Sequence, residues 1–437
     1  MWPEVETRMI IEKKRASASY PPHGGMDLVN RTITESELNE ILSQSRGKTY
    51  TLHESDESIF YRIADGALSP LCGPMSETEF YQVLDQEMII RNGKKYAWTI
   101  PLAFPIAKQD ATELDVGDIV AVYSSKEELI GALEISDIYP FDKDTYHTSV
   151  YGTKRVDHPG ARIFGDDPRC MLLGGQIWAL PQPKHPSYGQ YMLSPVQTRI
   201  LIEQRRWERI VGFQTRNALH RAHEYALVYA VETLTREGSF TGAILNPLVG
   251  ATKSDDVPAD IRMKTYKALL QEQEFGLGDL DVDLWNQKGI DFKDNLELIG
   301  LDMKMFYAGP KEAIMHAIYR QNYGFTDIVI GRKHADAPFD DGTAIWGDFD
   351  AHEKFDQLNG ELLIKPVKVG FAAFYKEINR VGLMDAFETK GHTAVFISGK
   401  QVRQALQNGE DVDERIMRRC VGDILKLHYS NGNVGIY

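Results

Sequence analysis

The chain has 437 residues, 43% of them hydrophobic, and 63 acidic against 49 basic side chains give a net charge of −14. This length predicts two or three domains. The acidic balance argues against a nucleic-acid partner but allows a local basic pocket for a small anion. No apolar run reaches about 18 residues, the length that spans a membrane, and the 3 cysteines form no CxxC pair. We therefore expect a cytoplasmic protein without membrane contacts.

The first part of the chain is predicted to form a β-rich domain. SELNEILSQS and SETEFYQVLDQ have helical periodicity. The pattern then changes to short β-like runs, YAWTIPLAFPIA, DIVAVYS and LIGALEISDIYP, with turn residues at intervals that suit a small barrel. The stretch MLLGGQIWALPQPKHPSYGQYMLSP is rich in glycine and proline, and we interpret it as the crossover to the next domain.

From residue 197 onward the pattern alternates between strands and helices. RIVGFQTR, GAILNPLVG and DIVIGR read as strands, and helices are predicted over 218–237, 260–270 and 310–323. This alternation predicts an α/β fold with a central, Rossmann-like parallel sheet and helices on both of its faces. The end of the chain is predicted to form a small α/β lobe. The expected domain bounds are 1–195, 196–350 and 351–437.

Polar clusters directly follow the apolar strands of the central domain: QTRN, NPLVGATKSDD and GRKHADAP. In parallel sheets the ligand binds beyond the carboxyl ends of the strands, so we expect these clusters to share one site. In the last of them, Gly331 permits close backbone approach, Arg332 supplies charge and His334 adds a polar contact. In a later cluster, ISGKQVRQAL, we interpret Ser398 as a helix N-cap.

The stretch NALHRAHE places His220 and His223 three residues apart, so they share a face of the first helical turn. Free backbone N–H groups and the helix dipole favour anions there. Asn217 adds an amide, while Gln214 and Arg216 lie on the preceding loop and can hold a second oxyanion. From the residues alone, three interpretations stay open: phosphate chemistry, two of three metal ligands, or ordinary surface side chains.

Several segments carry a family resemblance in the same order along the chain. QTRNALHRAHE resembles QTRNPxHRAHE, the signature of the ATP sulfurylase (sulfate adenylyltransferase) family. NPLVGATKSDD is similar to HPxVGxTKxGD, YAGPKEAIMHAIYRQNYG to AGPREAxxHAxxRxNYG, IVIGRKHADAP to IVGRDHAGP, and ISGKQVRQAL to ISGTxxRxxL. PPHGG and EISDIYPFDKD resemble the family's amino-terminal motifs. The resemblance covers about residues 20–410.

The resemblance implies a barrel-like, PUA-like amino-terminal domain and adenylyl transfer in the central domain. A sulfate oxygen would attack the α-phosphorus of Mg-ATP in line, giving adenosine 5′-phosphosulfate and pyrophosphate. The implied partners are ATP and sulfate, with Mg²⁺ entering on the nucleotide rather than on protein ligands, and a homo-oligomer is expected. The stretch GFAAFYKEINRVGLMDAFE, where some relatives bind zinc, contains no cysteine. We therefore expect no structural zinc.

Carried over by position, the resemblance implies three overlapping sets of site residues. Sulfate would be bound by Gln214, Arg216 and the backbone at Ala335. The catalytic set is Thr215, Arg216, Asn217, His220 and His223. The ATP-binding set is Gln214, Thr215, Arg216, Asn217, Gly331, Arg332, Lys333 and His334. Because sulfate needs no deprotonation at neutral pH, such a site works by positioning and charge stabilisation rather than with a general base.

The chain departs from the family motifs at several positions near the predicted site. Ala218 stands at a usual proline, Asn246 at the histidine of HPxVG, Lys333 at the aspartate of GRDH and Asp336 at the glycine of HAG. Lys400, farther away, replaces the threonine of ISGT. A carboxylate at Asp336 would repel a bound dianion unless a cation neutralises it. Lys333, only three residues away, could form that compensating pair.

These departures leave three hypotheses about function. The favoured one is an ordinary sulfate adenylyltransferase. The second is a relative that adenylylates a different oxyanion or acid, within a specialised biosynthetic pathway. The third is a nucleotide-binding protein without turnover. Activity with sulfate separates the first from the second, and nucleotide binding without pyrophosphate release identifies the third.

Overall fold

The computed structural model describes residues 19–250, 257–387, 390–395 and 399–430, so residues 251–256 and Ser398 of the predicted clusters lie outside it. The amino-terminal strands are β1 (Thr49–Thr51), β2 (Met88–Arg91), β3 (Lys94–Ala97), β4 (Phe104–Ile106), β5 (Ile119–Tyr123), β6 (Leu129–Pro140) and β7 (Met171–Ala179). The helices among them are α1 (Glu35–Leu42), α2 (Glu54–Ala64), α3 (Glu77–Gln86), α4 (Lys108–Ala111), α5 (Lys143–Tyr151) and α6 (Pro159–Gly165).

The amino-terminal strands confirm the predicted β-rich character of this part of the chain. Five of them form a sheet in the order β1-β5-β6-β7-β4, antiparallel except for the β1–β5 pair, and β2 and β3 form a separate hairpin. The two predicted helices correspond to α1 and α3. The first begins where Thr34 and Glu37 form a capping box, which satisfies free N–H groups of its first turn. Phe60 and Trp98 are fully buried in the core beneath the sheet.

One part of the predicted crossover is a strand. MLLGGQIWA forms β7, which pairs with β4 and β6, so only the residues after 179 connect the amino-terminal sheet to the next part of the chain. The glycines are there because neighbouring backbone comes too close for a side chain. A Cβ added at Gly175 would lie 2.0 Å from the carbonyl oxygen of Glu134, and one at Gly174 would lie 2.6 Å from that of Met75.

The predicted parallel sheet of the central part is confirmed. Its strands are β8 (Arg209–Thr215), β9 (Thr241–Pro247), β10 (Leu296–Leu298), β11 (Asp327–Ile330) and β12 (Lys365–Lys368). They are all parallel and lie in the order β10-β9-β8-β11-β12, so the direction of winding reverses between β8 and β11. Because β12 lies beyond the boundary expected at residue 350, we propose that the central domain extends through it.

The helices around this sheet include the predicted ones. They are α7 (Pro195–Arg205), α8 (Arg221–Arg236), α9 (Ala259–Gln271), α10 (Val282–Lys288), α11 (Gly309–Asn322) and α12 (Asp350–Lys354). The helices α9 and α11 match the predicted bounds to within one residue. The helix α8 begins three residues later than predicted, because His220 has an extended backbone and acts as its N-cap. None of the described helices combines the length and apolar character needed to cross a bilayer.

The carboxyl-terminal part is a small lobe that packs on α8. It contains β13 (Ala372–Tyr375), β14 (Arg380–Leu383), β15 (Ala394–Val395), α13 (Met384–Phe387), α14 (Gly399–Gln407) and α15 (Arg419–Ser430). Its strands are antiparallel, in the order β14-β13-β15. Tyr225 of α8 packs against Phe374 and Val381 of this sheet, so the lobe holds the helix that carries the two predicted histidines.

Candidate active site

A cavity of about 320 Å³ lies at the carboxyl ends of β8 and β11, where the winding of the sheet reverses. Parallel sheets bind their ligands at this point. The predicted site residues meet there: the cavity is lined by Gln214, Thr215, Arg216, Asn217, His220, His223, Gly331, Arg332, His334 and Ala335. Lys333 is the predicted member that does not line it.

The electrostatic character of this cavity suits anions. Arg216 and Arg332 line it, and among the described residues no carboxylate side chain does. A larger cavity of about 830 Å³ also contacts Met305, but its walls include several carboxylates, among them Glu54, Glu57 and Asp302. Such walls repel a polyanion. The smaller cavity is therefore the better candidate for phosphate or sulfate.

The loop between β8 and α8 is fixed by hydrogen bonds to its own backbone. The Thr215 hydroxyl accepts a hydrogen bond from the N–H of Asn217 at 3.1 Å. The Tyr266 hydroxyl donates to the Asn217 carbonyl oxygen at 2.7 Å. Thr215, predicted as a catalytic residue, thus uses its hydroxyl to shape the turn on which Arg216 and Asn217 stand.

His220 and His223 stack on each other at the start of α8, with ring centroids 3.7 Å apart. Burial lowers the pKa of His220 to about 4 and holds the pKa of His223 well below its usual value. Both imidazoles are therefore neutral at neutral pH. The Nδ1 atom of His220 accepts a hydrogen bond from the N–H of His223 at 3.3 Å, so its proton is on Nε2, where it can be donated to an oxyanion.

With the imidazoles neutral, the positive charge of the cavity comes from arginine. The Arg216 guanidinium lies 5.2 Å from the ring centroid of Tyr307, and its Nη1 is 3.4 Å from the Tyr307 hydroxyl. The Arg332 guanidinium stacks on Phe371 at 4.0 Å and contacts Asp348 at 3.3 Å. An aromatic ring beside each guanidinium limits its movement before a ligand arrives.

The segment after β11 has an unusual backbone. Lys333 has φ 48° and Ala335 has φ 55°, both in the left-handed region that non-glycine residues rarely adopt. Such conformations persist where surrounding contacts impose them, and they concentrate at functional sites. Here the N–H of Lys333 donates to the Asp348 carbonyl oxygen at 2.9 Å, and the N–H of Gly309 donates to that of Ala335 at 3.1 Å.

The expected ion pair between Lys333 and Asp336 is wrong. The Lys333 ammonium instead lies 3.8 Å from a carboxylate oxygen of Asp348, next to the backbone hydrogen bond between the same two residues. One oxygen of Asp336 is buried and has no hydrogen-bond partner among the described residues. Burial raises the pKa of Asp336. Asp336 does not line the cavity, so its charge acts on a bound anion only from behind Ala335.

Two further departures from the family motifs have structural explanations. Asn246 is buried and serves as both donor and acceptor: its amide nitrogen donates to the Ile299 carbonyl oxygen and its oxygen accepts from Arg320 Nε at 2.9 Å. A neutral histidine also offers one donor and one acceptor, so the exchange is compatible with this pair of contacts. Ala218 is fully buried in the apolar core. The side chain of Lys400 lies outside the described part of the chain.

Sequence reasoning missed a row of buried polar residues on α11. Glu312, His316 and Arg320 follow one another at spacings of four residues, so they lie on one face of the helix. His316 contacts two predicted site residues: its Nδ1 is 2.9 Å from His334 Nε2, and its Nε2 is 3.4 Å from the amide nitrogen of Gln214. The regular spacing within AGPKEAIMHAIYRQNYG was the signal that could have identified them.

The fold and the cavity define an α/β protein of the nucleotide-binding type, with a site for anions at the switch point of its sheet. The ATP-sulfurylase family model matches residues 189–428, and a PUA-like domain model matches residues 20–182. The chain belongs to the ATP-sulfurylase family, which confirms the resemblance found in its motifs.

Relatives extend over nearly the whole chain. A sulfate adenylyltransferase of Pyropia yezoensis is 46% identical, covering 94% of this chain and 98% of that one. A sulfate adenylyltransferase of Acaryochloris marina is 34% identical over 89% of this chain and 92% of that one. Among solved structures, a hexameric APS kinase from Thiobacillus denitrificans superimposes with a TM-score of 0.67 at 17% identity, covering 94% of this chain and 68% of that one. The last comparison shows similarity of fold alone.

Proposed function

We propose that this chain is a sulfate adenylyltransferase. One sulfate oxygen forms a bond to the α-phosphorus of Mg-ATP while the bond from that phosphorus to the bridging oxygen of the β-phosphate breaks. The products are adenosine 5′-phosphosulfate and magnesium pyrophosphate. The observation that carries the proposal is the meeting of Gln214 and Arg216, from the end of β8, with the segment 331–335, from the end of β11, around one cavity free of carboxylates in the described structure.

The two anions divide this cavity between them. Gln214, Arg216 and the backbone at Ala335 bind sulfate. His220 and His223 donate hydrogen bonds to the phosphates at the start of α8, where the helix dipole adds to their effect. Arg332 and the neighbouring residues 331–334 contact the nucleotide. Sulfate is already ionised, so the rate enhancement comes from alignment and from stabilising charge on the transferring phosphoryl group.

The metal ion in this proposal is part of the substrate. In this proposal Mg²⁺ enters bound to the phosphates of ATP, and the described lining of the cavity, which contains no carboxylate side chain, is compatible with that. A homo-oligomeric state and a cytoplasmic location are further parts of the proposal, and they rest on the family resemblance and the composition.

A second candidate is adenylyl transfer to a different oxyanion or acid. It is favoured by Asp336, which directly follows the backbone assigned to the acceptor and has a buried oxygen without a hydrogen-bond partner among the described residues. An acceptor with less negative charge than sulfate, or with a hydrogen-bond donor, would be repelled less by this carboxyl group.

The test is pyrophosphate release from Mg-ATP with sulfate, with molybdate and with no acceptor. Sulfate-dependent release, or AMP formation driven by molybdate, is the expected result. Tight ATP binding without release for either anion would overturn the sulfate assignment. Other acids would then be assayed, with Lys333→Asp and Asp336→Gly as variants that restore the family residues.

The assignment of Gly331 to the nucleotide gives a prediction for binding. No atom lies within 4 Å of the position that a Cβ would take at Gly331, so a side chain there meets open space in the cavity. Gly331→Leu should fold with an unchanged melting temperature but bind Mg-ATP about tenfold more weakly, as measured by calorimetry. Gly331→Ala, which adds one methyl group, is the graded control and should show a smaller loss. Undiminished ATP affinity in a folded Gly331→Leu protein would remove this residue from the nucleotide site.

A further inference from the structure

Behind the acceptor side of the cavity, α11 contributes two fully buried polar residues, Glu312 and His316, that do not line it. The carboxylate of Glu312 accepts hydrogen bonds from the N–H of Phe306 at 2.8 Å and from that of Ala308 at 3.0 Å. Its Oε1 also lies 3.3 Å from His316 Nε2. A buried carboxylate held by two backbone N–H groups has a fixed position, and it therefore fixes the position of the His316 ring that it contacts.

These contacts determine where the proton of His316 is. Burial raises the pKa of Glu312 to about 7, so the carboxylate form prevails above that pH. A carboxylate only accepts hydrogen bonds, so His316 carries its proton on Nε2 and donates it to Glu312. The Nδ1 atom of His316 is then an acceptor, and it receives the Nε2 proton of His334 across 2.9 Å. The pKa of His316 is held well below its usual value by burial, which keeps the ring neutral.

The position of this proton constrains the amide of Gln214. In the structure, the amide nitrogen is 3.4 Å from His316 Nε2, and the amide oxygen is buried without a partner among the described residues. Two donors cannot satisfy each other, whereas the oxygen of a turned amide would share the single His316 Nε2 proton with Glu312. Nitrogen and oxygen of an amide have nearly the same shape, so hydrogen bonding decides between the two orientations. Turning the amide moves its nitrogen away from two contacts, the one with His316 Nε2 at 3.4 Å and the one with the sulfur of Met305 at 4.0 Å.

We propose that Glu312 and His316 are positioning residues that turn the Gln214 amide so that its N–H groups, not its oxygen, are offered to the acceptor anion. The inference rests on the proposed function, because it gives Gln214 the acceptor-binding role. The turned amide nitrogen takes the place of a buried oxygen that has no partner among the described residues. Gln214 lines the cavity, so its turned N–H groups reach the anion when sulfate binding opens this contact. N–H donors attract an oxyanion, whereas an amide oxygen in the same place would repel it.

Two substitutions of the same histidine separate positioning from structural support. In His316→Gln, the new amide nitrogen can reach the place of Nε2 and donate to both Glu312 and Gln214. In His316→Asn, the shorter amide can reach the place of Nδ1 and keep the contact with His334, but it cannot reach Gln214. At about pH 8, above the pKa of Glu312, the KM for sulfate should rise about tenfold in His316→Asn and stay within about twofold of the unchanged protein in His316→Gln. The KM for ATP should change little in either variant.

Acceptor binding is also measured without turnover. The melting temperature is measured during sulfate titration, with a Mg-ATP analogue whose α–β bridge cannot be cleaved and with sodium chloride to match the ionic strength. The sulfate concentration at half-saturation should be about tenfold higher in His316→Asn than in His316→Gln or the unchanged protein. Equal sulfate affinity in the two variants, or a parallel loss of sulfate and ATP binding, would overturn the positioning role. If His316→Asn does not fold, Glu312→Gln replaces it, because an amide at 312 no longer fixes the His316 proton, and unchanged sulfate affinity there would overturn the proposal equally. Sulfate binding without pyrophosphate release in the unchanged protein would refute the proposed function but leave this inference to the binding data.

Discussion

Replacing Arg216 with methionine should lower sulfate-dependent pyrophosphate release by about 10²–10³-fold, the usual effect of losing one donor that stabilises a developing oxyanion. Arg216 and Arg332 are the permanently charged side chains that line the cavity in the described part of the chain, and both histidines are neutral. Methionine keeps the unbranched stem next to Tyr307 but removes the charge and the N–H groups. The measurement is kcat and KM for sulfate at saturating Mg-ATP.

Arg155 provides a matched control for this substitution. Its guanidinium lies over the ring of Phe339 at 3.7 Å, pairs with Asp157 and does not line the cavity. Arg155→Met therefore removes an arginine from an aromatic ring without touching the site, and activity should stay within about twofold. If Arg216→Met retained the activity of this control, the acceptor would bind elsewhere than the end of β8.

Replacing Arg418 with methionine should lower the free energy of unfolding by about 3–5 kcal/mol, because it leaves buried carboxylates without their cation. The Arg418 guanidinium contacts Glu224 at 3.1 Å and Asp279 at 3.4 Å, and both of these side chains have 0% exposure. Arg221 pairs with the same Asp279 at 2.6 Å, so the two arginines share it. Urea unfolding followed by circular dichroism measures the change.

Arg415, three residues earlier, is the control for this prediction. It pairs with Asp413 at 2.5 Å, but its side chain is 43% exposed. Exposed pairs contribute about 0–1 kcal/mol, so Arg415→Met should unfold near the same urea concentration as the unchanged protein. Equal destabilisation by the two substitutions would mean that burial of the Arg418 network does not govern its contribution. The double variant of Arg418→Met with Glu224→Gln should recover part of the loss, because the uncompensated charge is removed.

The parts of the site that lie close together in the sequence could be predicted from it. Gln214 to His223 form the end of one apolar strand and the segment after it, 331–335 follow another strand, and parallel pairing brings such strand ends to one edge. The contacts of Glu312 and His316 could not be predicted, because a helical spacing gives a shared face but not what that face contacts. The prediction that Lys333 pairs with Asp336 was wrong for a related reason. Asp348 is distant along the chain, and its position 3.8 Å from the Lys333 ammonium depends on the folding of the whole intervening loop.

The strand β7 shows the limit of composition as a guide. Glycine and proline in a stretch favour a loop, but Gly174 and Gly175 are required there by contact with neighbouring backbone, which local sequence does not record. The late start of α8 has a similar origin. The segment 218–220 is compatible with a helix, yet the structure uses the extended backbone of His220 to cap the helix and to direct its ring into the cavity.

The start of α8 is bound both by Asp279 of the central part of the chain and by Arg418 of the carboxyl-terminal lobe. His220 and His223 line the cavity, while Arg221 and Glu224, interleaved with them, are bound by Asp279 and Arg418. The signature HRAHE thus combines two histidines that line the cavity with an arginine and a glutamate that form buried ion pairs outside it. We therefore expect a carboxyl-terminal lobe taken from a relative to dock stably on this helix where it supplies a cation opposite Glu224 and Asp279, as Arg418 does here. The compatibility of the two parts would then be decided at a contact outside the cavity.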